Sequence, residues 1–377
     1  MKFRFGQHLI DILRGKKEGR SAPRSVTTGS FETKMVETLN VCSRFRYPET
    51  KEDYIPDFSK PVLVEINKAK VKYDLKKALK KIRKLGIEKL AESYNSLSDE
   101  HSKEMMLKVL AYNCFDEPRL RFPIFYSPCL QMQDVVADCA LDDEVIILWN
   151  GLVKLKKCDL SKLGYNIRLW QNTVGVVIDF IEEQYKYKKM VVAEKGDVVI
   201  DAGACYGDTA LYFSEKTGGA DVYSFEFLPE NVDIFSKNME LNPKYKDSVH
   251  LVKKPVSDTS GMKLYAVPNG PGTSVTSFKQ ENAIEFETIT IDDFVEQNSI
   301  SKVDFIKMDI EGSEEAALKG AEKTIKKFRP KLAICAYHKV DDLCVLPHII
   351  KAMVPEYKLY LDHYTINSTE TVLFARA

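Results

Sequence analysis

In the C-terminal half of the chain, short apolar runs alternate with segments whose apolar residues recur every three or four positions. The runs are VVIDAG (198–203), DVYSFEF (221–227), VHLVKKPVS (249–257), VDFIKMDI (303–310) and KLAICAYH (331–338). Between them lie DTALYFSEK (208–216), PENVDIFSKNMEL (229–241) and EEAALKGAEKTIKKF (314–328). The runs read as buried strands and the periodic segments as helices, an order that predicts a parallel sheet with helices on both faces. YKLYLDHYT (357–365) and ETVLFARA (370–377) have no helix between them and predict a hairpin at one end of that sheet. The expected class is therefore α/β, a mostly parallel seven-stranded sheet with an antiparallel C-terminal hairpin over residues 151–377. Residues 1–150 are expected to form a smaller, mixed, partly helical N-terminal domain serving oligomerisation or acceptor recognition.

In that N-terminal part, YDLKKALKKIRKLGIEKL places Leu75, Ala78, Leu79, Ile82, Gly86 and Leu90 on one helical stripe. Lys76, Lys77, Lys80, Arg83 and Lys84 fall on the opposite, solvated face, which an anionic glycan or membrane surface would suit as the alternative. SDEHSKEMMLKVLAY predicts a second helix, capped by Ser98 or Asp99 and buried through Met105, Met106, Val109 and Leu110. RLRFPIFYS (119–127) and EVIILWN (144–150) are strand-like. Residues 15–60, rich in Gly, Pro, Ser, Thr and charge, read as loop or extended tether. Phe3, Phe5, Leu9, Ile10 and Leu13 suggest an amphipathic segment for dimerisation or membrane contact.

Composition narrows the partners. Lys+Arg and Asp+Glu both number 55, so no global field favours nucleic acid. The eight cysteines show no C-x-x-C spacing, which suits reduced thiols in the cytoplasm. No run approaches the roughly 18 to 20 apolar residues of a membrane span, which leaves peripheral contact at the inner face of a membrane as the membrane alternative. A homo-oligomer is expected.

In an open parallel sheet, ligands bind beyond the carboxyl ends of the strands where strand order reverses. The first such loop is Asp201-Ala-Gly203-Ala204-Cys-Tyr206-Gly207, followed by Asp208. It lacks the G-x-G-x-x-G pattern for a pyrophosphate, and its two acids favour a positively charged ligand. Glu226, about 20 residues on, is placed for ribose hydroxyls, with Phe227 beside it. Ser257 and Asp258 end the third run, where an adenine edge is expected. A nucleoside with an amine and no phosphate fits, and S-adenosylmethionine is such a molecule. Cys205 reads as a small buried thiol.

VVIDAGACYGDTALYF, YSFEFLPENVDIFSKNMELNP, IDDFV, VDFIKMDIEGSEEAALKGA and the ICAYH strand together resemble the FkbM-type family of S-adenosylmethionine-dependent methyltransferases over roughly residues 160–377. The resemblance implies a class I, Rossmann-like methyltransferase fold. It also implies O-methylation of a hydroxylated glycan, sugar or related small molecule, with polysaccharide biosynthesis as the setting. By position it places Asp201, Gly203, Gly207 and Glu226 at the cofactor.

Methyl transfer needs a base near the acceptor oxygen. Asp309 and Glu311 end the fourth run and His338 the fifth, with His338 expected as base, near physiological pH, and Asp309 orienting it or the acceptor. A divalent metal on Asp309, Glu311 and His338 is the second possibility. PNGPGTSVTSF, with Gly270, Gly272 and Ser274, is expected to act as a lid. Pro128-Cys129 lies upstream of the loop and is discounted as a cytosine methyltransferase pair, and no N-P-P-[FYW] tetrapeptide follows the fourth run. The competing readings are a nicotinamide-dependent oxidoreductase and a non-catalytic binding module of a polysaccharide assembly.

Overall fold

The computed structural model describes residues 26–42, 45–46, 62–63, 68–115, 133–267, 273, 275–279, 281–365 and 368–377. The Phe3–Leu13 cluster, RLRFPIFYS, Pro128-Cys129 and Gly270, Gly272 and Ser274 lie outside them. The chain divides into two compact units. One comprises Met1–Ser127, Lys339–His348 and Lys358–Thr371; the other comprises Pro128–His338, Ile349–Tyr357 and Val372–Ala377.

The first unit begins with helix α1 (Val26–Cys42), inside the stretch expected to be a tether. Phe31, Met35 and Leu39, spaced four apart, are fully buried, and Phe31 meets the Tyr94 ring at 5.5 Å. Thr, Val and Gly give α1 weak intrinsic propensity, so packing of that stripe holds it. Strands β1 (Phe45–Arg46) and β2 (Val62–Leu63) pair antiparallel. The single helix expected over 73–90 is two, α2 (Lys68–Leu85) and α3 (Ile87–Ser96), broken at Gly86, whose φ is 94°. Leu75, Ala78, Leu79, Ile82 and Leu90 are buried as the stripe requires. Helix α4 (Glu100–Cys114) is capped by Asp99, which accepts from the Ser102 amide at 2.8 Å.

The second unit opens with an antiparallel sheet of β3 (Ala140–Leu148), β4 (Val153–Asp159) and β5 (Arg168–Gln171), then a π-helix over Val176–Ile181. Next come β6 (Val199–Ala202), α5 (Asp208–Thr217), β7 (Val222–Phe225), α6 (Pro229–Leu241) and β8 (Val249–Val252). An antiparallel sheet unforeseen in the sequence follows, β9 (Lys263–Ala266) flanked by β10 (Val275–Thr276) and β11 (Ile284–Glu287), then helix α7 (Ile291–Gln297). Part of the expected lid is thus strand. After β12 (Phe305–Met308), the helix expected over 314–328 is split into α8 (Glu314–Lys319) and α9 (Glu322–Phe328). At Gly320, between them, a Cβ would stand 2.1 Å from the Ser257 carbonyl oxygen, so only glycine allows this approach. The chain ends with β13 (Lys331–Cys335), α10 (Asp342–Met353), β14 (Lys358–His363) and β15 (Thr371–Arg376).

The main sheet has seven strands in the order β14-β15-β13-β12-β6-β7-β8. Strands β13, β12, β6, β7 and β8 run parallel, and β15 runs antiparallel to β13. Val199, Ile200, Ala202, Phe305, Ile306, Met308 and Leu332 are fully buried, as strands covered on both faces require. Strand β6 pairs with β7 on one side and β12 on the other, so the order reverses there and the ligand crevice opens at their carboxyl ends.

Candidate active site

The loop after β6 is built around a buried ion pair. Asp201 is fully buried: Lys307 Nζ stands 3.1 Å from its Oδ1, and the Thr209 and Ser224 hydroxyls donate to its Oδ2 at 2.9 and 3.2 Å. Lys307, on β12, also donates to the carbonyl oxygens of Ala202 and Gly203. Burial alone would push its ammonium down, but the carboxylates of Asp201 and Asp309 hold it well above the ordinary lysine value. Gly203 has φ 82°, and a Cβ there would meet the Asp309 carbonyl oxygen at 1.8 Å. The amides of Gly203 and Ala204 both donate to the Phe225 carbonyl at 3.0 Å, so they brace the loop rather than point into the crevice. Gly207 precedes α5 with its Cα against the Phe235 ring. Asp208, buried at the first position of α5, accepts from Gln171, and burial raises its carboxyl.

Glu226, just beyond β7, is also buried. Its Oε1 accepts from the Phe227 and Leu228 amides at 2.6 and 2.8 Å, and its Oε2 from Asn231 at 3.1 Å. Burial raises its carboxyl against those three donors. Phe227 meets Phe286 of β11 edge-on, with centroids 4.7 Å apart.

At the ends of β12 and β13 the acids and the histidine converge. His338 Nε2 lies 3.4 Å from Asp309 Oδ1 and 3.6 Å from Glu311 Oε2, while Nδ1 lies 2.9 Å from Glu314 Oε1. The Tyr185 hydroxyl donates to Asp309 Oδ2 at 2.9 Å and the Tyr337 hydroxyl to Oδ1 at 3.2 Å. Burial would lower the His338 pKa, but Glu314, Asp309 and Glu311 raise it to about 9, so the ring is an imidazolium at neutral pH. Glu311 is raised to about 7, chiefly by burial and despite His338.

Residues 201–358 match the methyltransferase FkbM domain family. Over this segment the chain is similar to FkbM methyltransferase domains. A hexuronic acid methyltransferase, AglP, of Haloferax volcanii is 26% identical over 184 residues, 49% of this chain and 72% of that protein. Methyltransferase sdnD of Sordaria araneosa is 25% identical over 186 residues, 39% of this chain and 71% of the relative. The crystal structure of methyltransferase FkbM from Methylobacillus flagellatus KT superposes with a TM-score of 0.52 at 20% identity, over 80% of this chain and 62% of that one. The shared fold is that of class I methyltransferases.

Within the matched segment, the structure unites Asp309, Glu311 and His338, and separately Asp201, Gly203 and Lys307. Other expectations change. The Tyr206 ring packs with Leu155, Trp170 and Ile234 in an apolar cluster instead of facing a ligand. Strand β8 ends at Val252, so Ser257 and Asp258 are not at its tip. Ser257 is buried against Gly320, and Asp258 is exposed. His338 is charged rather than poised near neutrality. Asp309, Glu314 and His338 offer ligand atoms within 4.8 Å of one another, which puts Glu314 in the metal-spaced group where Glu311 was expected. Sequence reasoning missed Lys307, Tyr185, Tyr337 and Glu314. A lone lysine within the apolar run VDFIKMDI was the available signal for Lys307, since a buried strand tolerates a charge only when it is paired.

Proposed function

We propose that this protein is an S-adenosylmethionine-dependent O-methyltransferase acting on a hydroxyl of a sugar, glycan or related small molecule, in polysaccharide biosynthesis. The family match and the hexuronic acid methyltransferase among the relatives support this reading over an oxidoreductase. Asp201, Gly203, Ala204, Gly207, Asp208, Glu226 and Phe227 would surround the cofactor, with the second lone pairs of the Glu226 oxygens taking ribose hydroxyls. The bound cofactor supplies an electrophilic methyl group for in-line attack by the acceptor oxygen.

Glu311 carries the proposal for the chemistry. Its side chain is 36% exposed where that of His338 is 8%, and its carboxyl is raised to about 7. A base that reaches the crevice and titrates near neutrality suits proton removal from an alcohol at the moment of attack. In this arrangement His338 stays an imidazolium that orients Glu311 and Asp309, and Asp309, braced by two tyrosine hydroxyls, positions the acceptor. A divalent cation on Asp309, Glu314 and His338 would have to displace the proton His338 holds.

The test is incubation with methyl-labelled S-adenosylmethionine and uronic-acid-containing glycans, read by mass gain, beside calorimetric titration with NAD. Methylated glycan establishes the activity. NAD binding without S-adenosylmethionine binding sinks it, and binding of neither leaves a non-catalytic module.

A further inference from the structure

Tyr185 lies in a turn that precedes the segment matching the family, so the match assigns it no role. The turn is fixed at both ends. Glu183 and Lys188 hold φ of 51° and 49°, left-handed values that persist where the surroundings over-determine them, and such positions cluster at functional sites. The Glu183 carboxylate pairs with Lys186 and Lys216 and accepts from the Tyr165 and Tyr212 hydroxyls at 3.4 and 3.2 Å. At the other end Tyr187 is fully buried, meets the Phe374 ring at 5.5 Å and donates its amide to the Val191 carbonyl at 2.9 Å. Between these anchors Tyr185 is buried, with Lys307 Nζ over its ring at 5.1 Å from the centroid and its hydroxyl on Asp309 Oδ2 at 2.9 Å. A desolvated ammonium is attracted to a ring face, so Lys307 seats the ring as well as pairing with Asp201.

The terminal torsion of an aspartate is broad, so the plane of the Asp309 carboxylate is set by its partners and not by the backbone of β12. Oδ1 faces Tyr337 and His338, and Oδ2 takes the Tyr185 hydroxyl. A neutral hydroxyl orients the carboxylate without neutralising it, which leaves its charge and its second lone pairs for a substrate hydroxyl. We infer that Tyr185 is a positioning residue for methyl transfer: held by the Glu183 anchor and by Lys307, it fixes the plane in which Asp309 meets the acceptor. The role rests on the methyltransferase reading above.

Tyr185→Phe in the full chain tests it, because it keeps the ring on Lys307 and removes only the hydroxyl. With methyl-labelled S-adenosylmethionine and a uronic-acid-containing glycan, the variant is expected to lose at least about tenfold in kcat, the size of one hydrogen bond to a charged group. Its affinity for S-adenosylhomocysteine, read by calorimetry, is expected to equal that of wild type. In an Asp309→Asn background the same substitution is expected to cost less than about twofold in kcat, since the carboxylate it orients is gone. An unchanged kcat with a lowered thermal midpoint makes the hydroxyl structural only and overturns the inference. Equal losses of kcat in the two backgrounds, or S-adenosylhomocysteine binding that weakens in step with the rate, overturn it too. Should Asp309→Asn turn over too slowly to follow, the kcat and the affinity of Tyr185→Phe alone decide. Wild type that transfers no methyl group overturns the methyltransferase reading, and the role of Tyr185 with it.

Discussion

At Glu311 both backbone and side chain depart from their usual states. Its φ is 54°, a left-handed value that a non-glycine residue holds only under constraint, and its carboxyl titrates near 7. If Glu311 is the base, the methylation rate rises through about pH 7 and levels off, and Glu311→Gln loses roughly 10²- to 10⁴-fold in kcat. A rate that instead rises toward pH 9 and keeps that limb in Glu311→Gln assigns the proton transfer to His338. Lys307 makes a separate prediction. Lys307→Met leaves Asp201 charged and unpaired in the core and is expected to cost about 3–5 kcal/mol in urea unfolding, part of which Asp201→Asn restores in the double variant. Of these residues the acids and His338 were legible as polar groups ending apolar runs. The state of His338 was not, because three carboxylates from other positions set its charge, and Glu314 is joined to it only by folding.

Among the elements, short helices and strand ends depend most on distant contacts. The run EEAALKGAEKTIKKF has helical period throughout, yet the helix divides at Gly320, where the Ser257 carbonyl oxygen lies too close to admit a Cβ. Gly320→Ala is expected to lower the thermal midpoint by several degrees, corresponding to about 1–3 kcal/mol of overpacking, and an unchanged midpoint would show that the backbone yields freely. The cap on α4 was readable in advance because capping is local: Asp99 stands three residues before the amide it accepts from. Asp99→Ala is expected to cost about 1 kcal/mol. Helix α1 shows the opposite case. Its Thr- and Gly-containing sequence favours irregular structure, and only burial of Phe31, Met35 and Leu39 makes it helical.

For the molecule as a whole, His338 links stability to pH. Its folded pKa of about 9 lies above the ordinary 6.5, so its contribution is fully present below about pH 6.5 and is lost as pH rises through about 9. The unfolding free energy of wild type should exceed that of His338→Gln by the most at pH 6, on the order of 3 kcal/mol, and the gap should close above about pH 9. A gap independent of pH would mean that the ring contributes through packing and not through charge. Among the described residues no helix is long and apolar enough to cross a membrane.

The sequence by itself determined the order of the main-sheet strands along the chain, the C-terminal hairpin, the glycine loop after β6 and the three residues Asp309, Glu311 and His338. These follow from period, apolar run length and residue type, which are properties of neighbours in the chain. Only the tertiary structure decided that Lys307 neutralises Asp201 beneath the loop, that Tyr206 turns into an apolar cluster, that β9, β10 and β11 pair into a second antiparallel sheet, and that Tyr185 and Glu314 complete the acid and imidazolium group. Each of those outcomes depends on burial, and burial is set by which segments meet across the fold, so no local pattern encodes it.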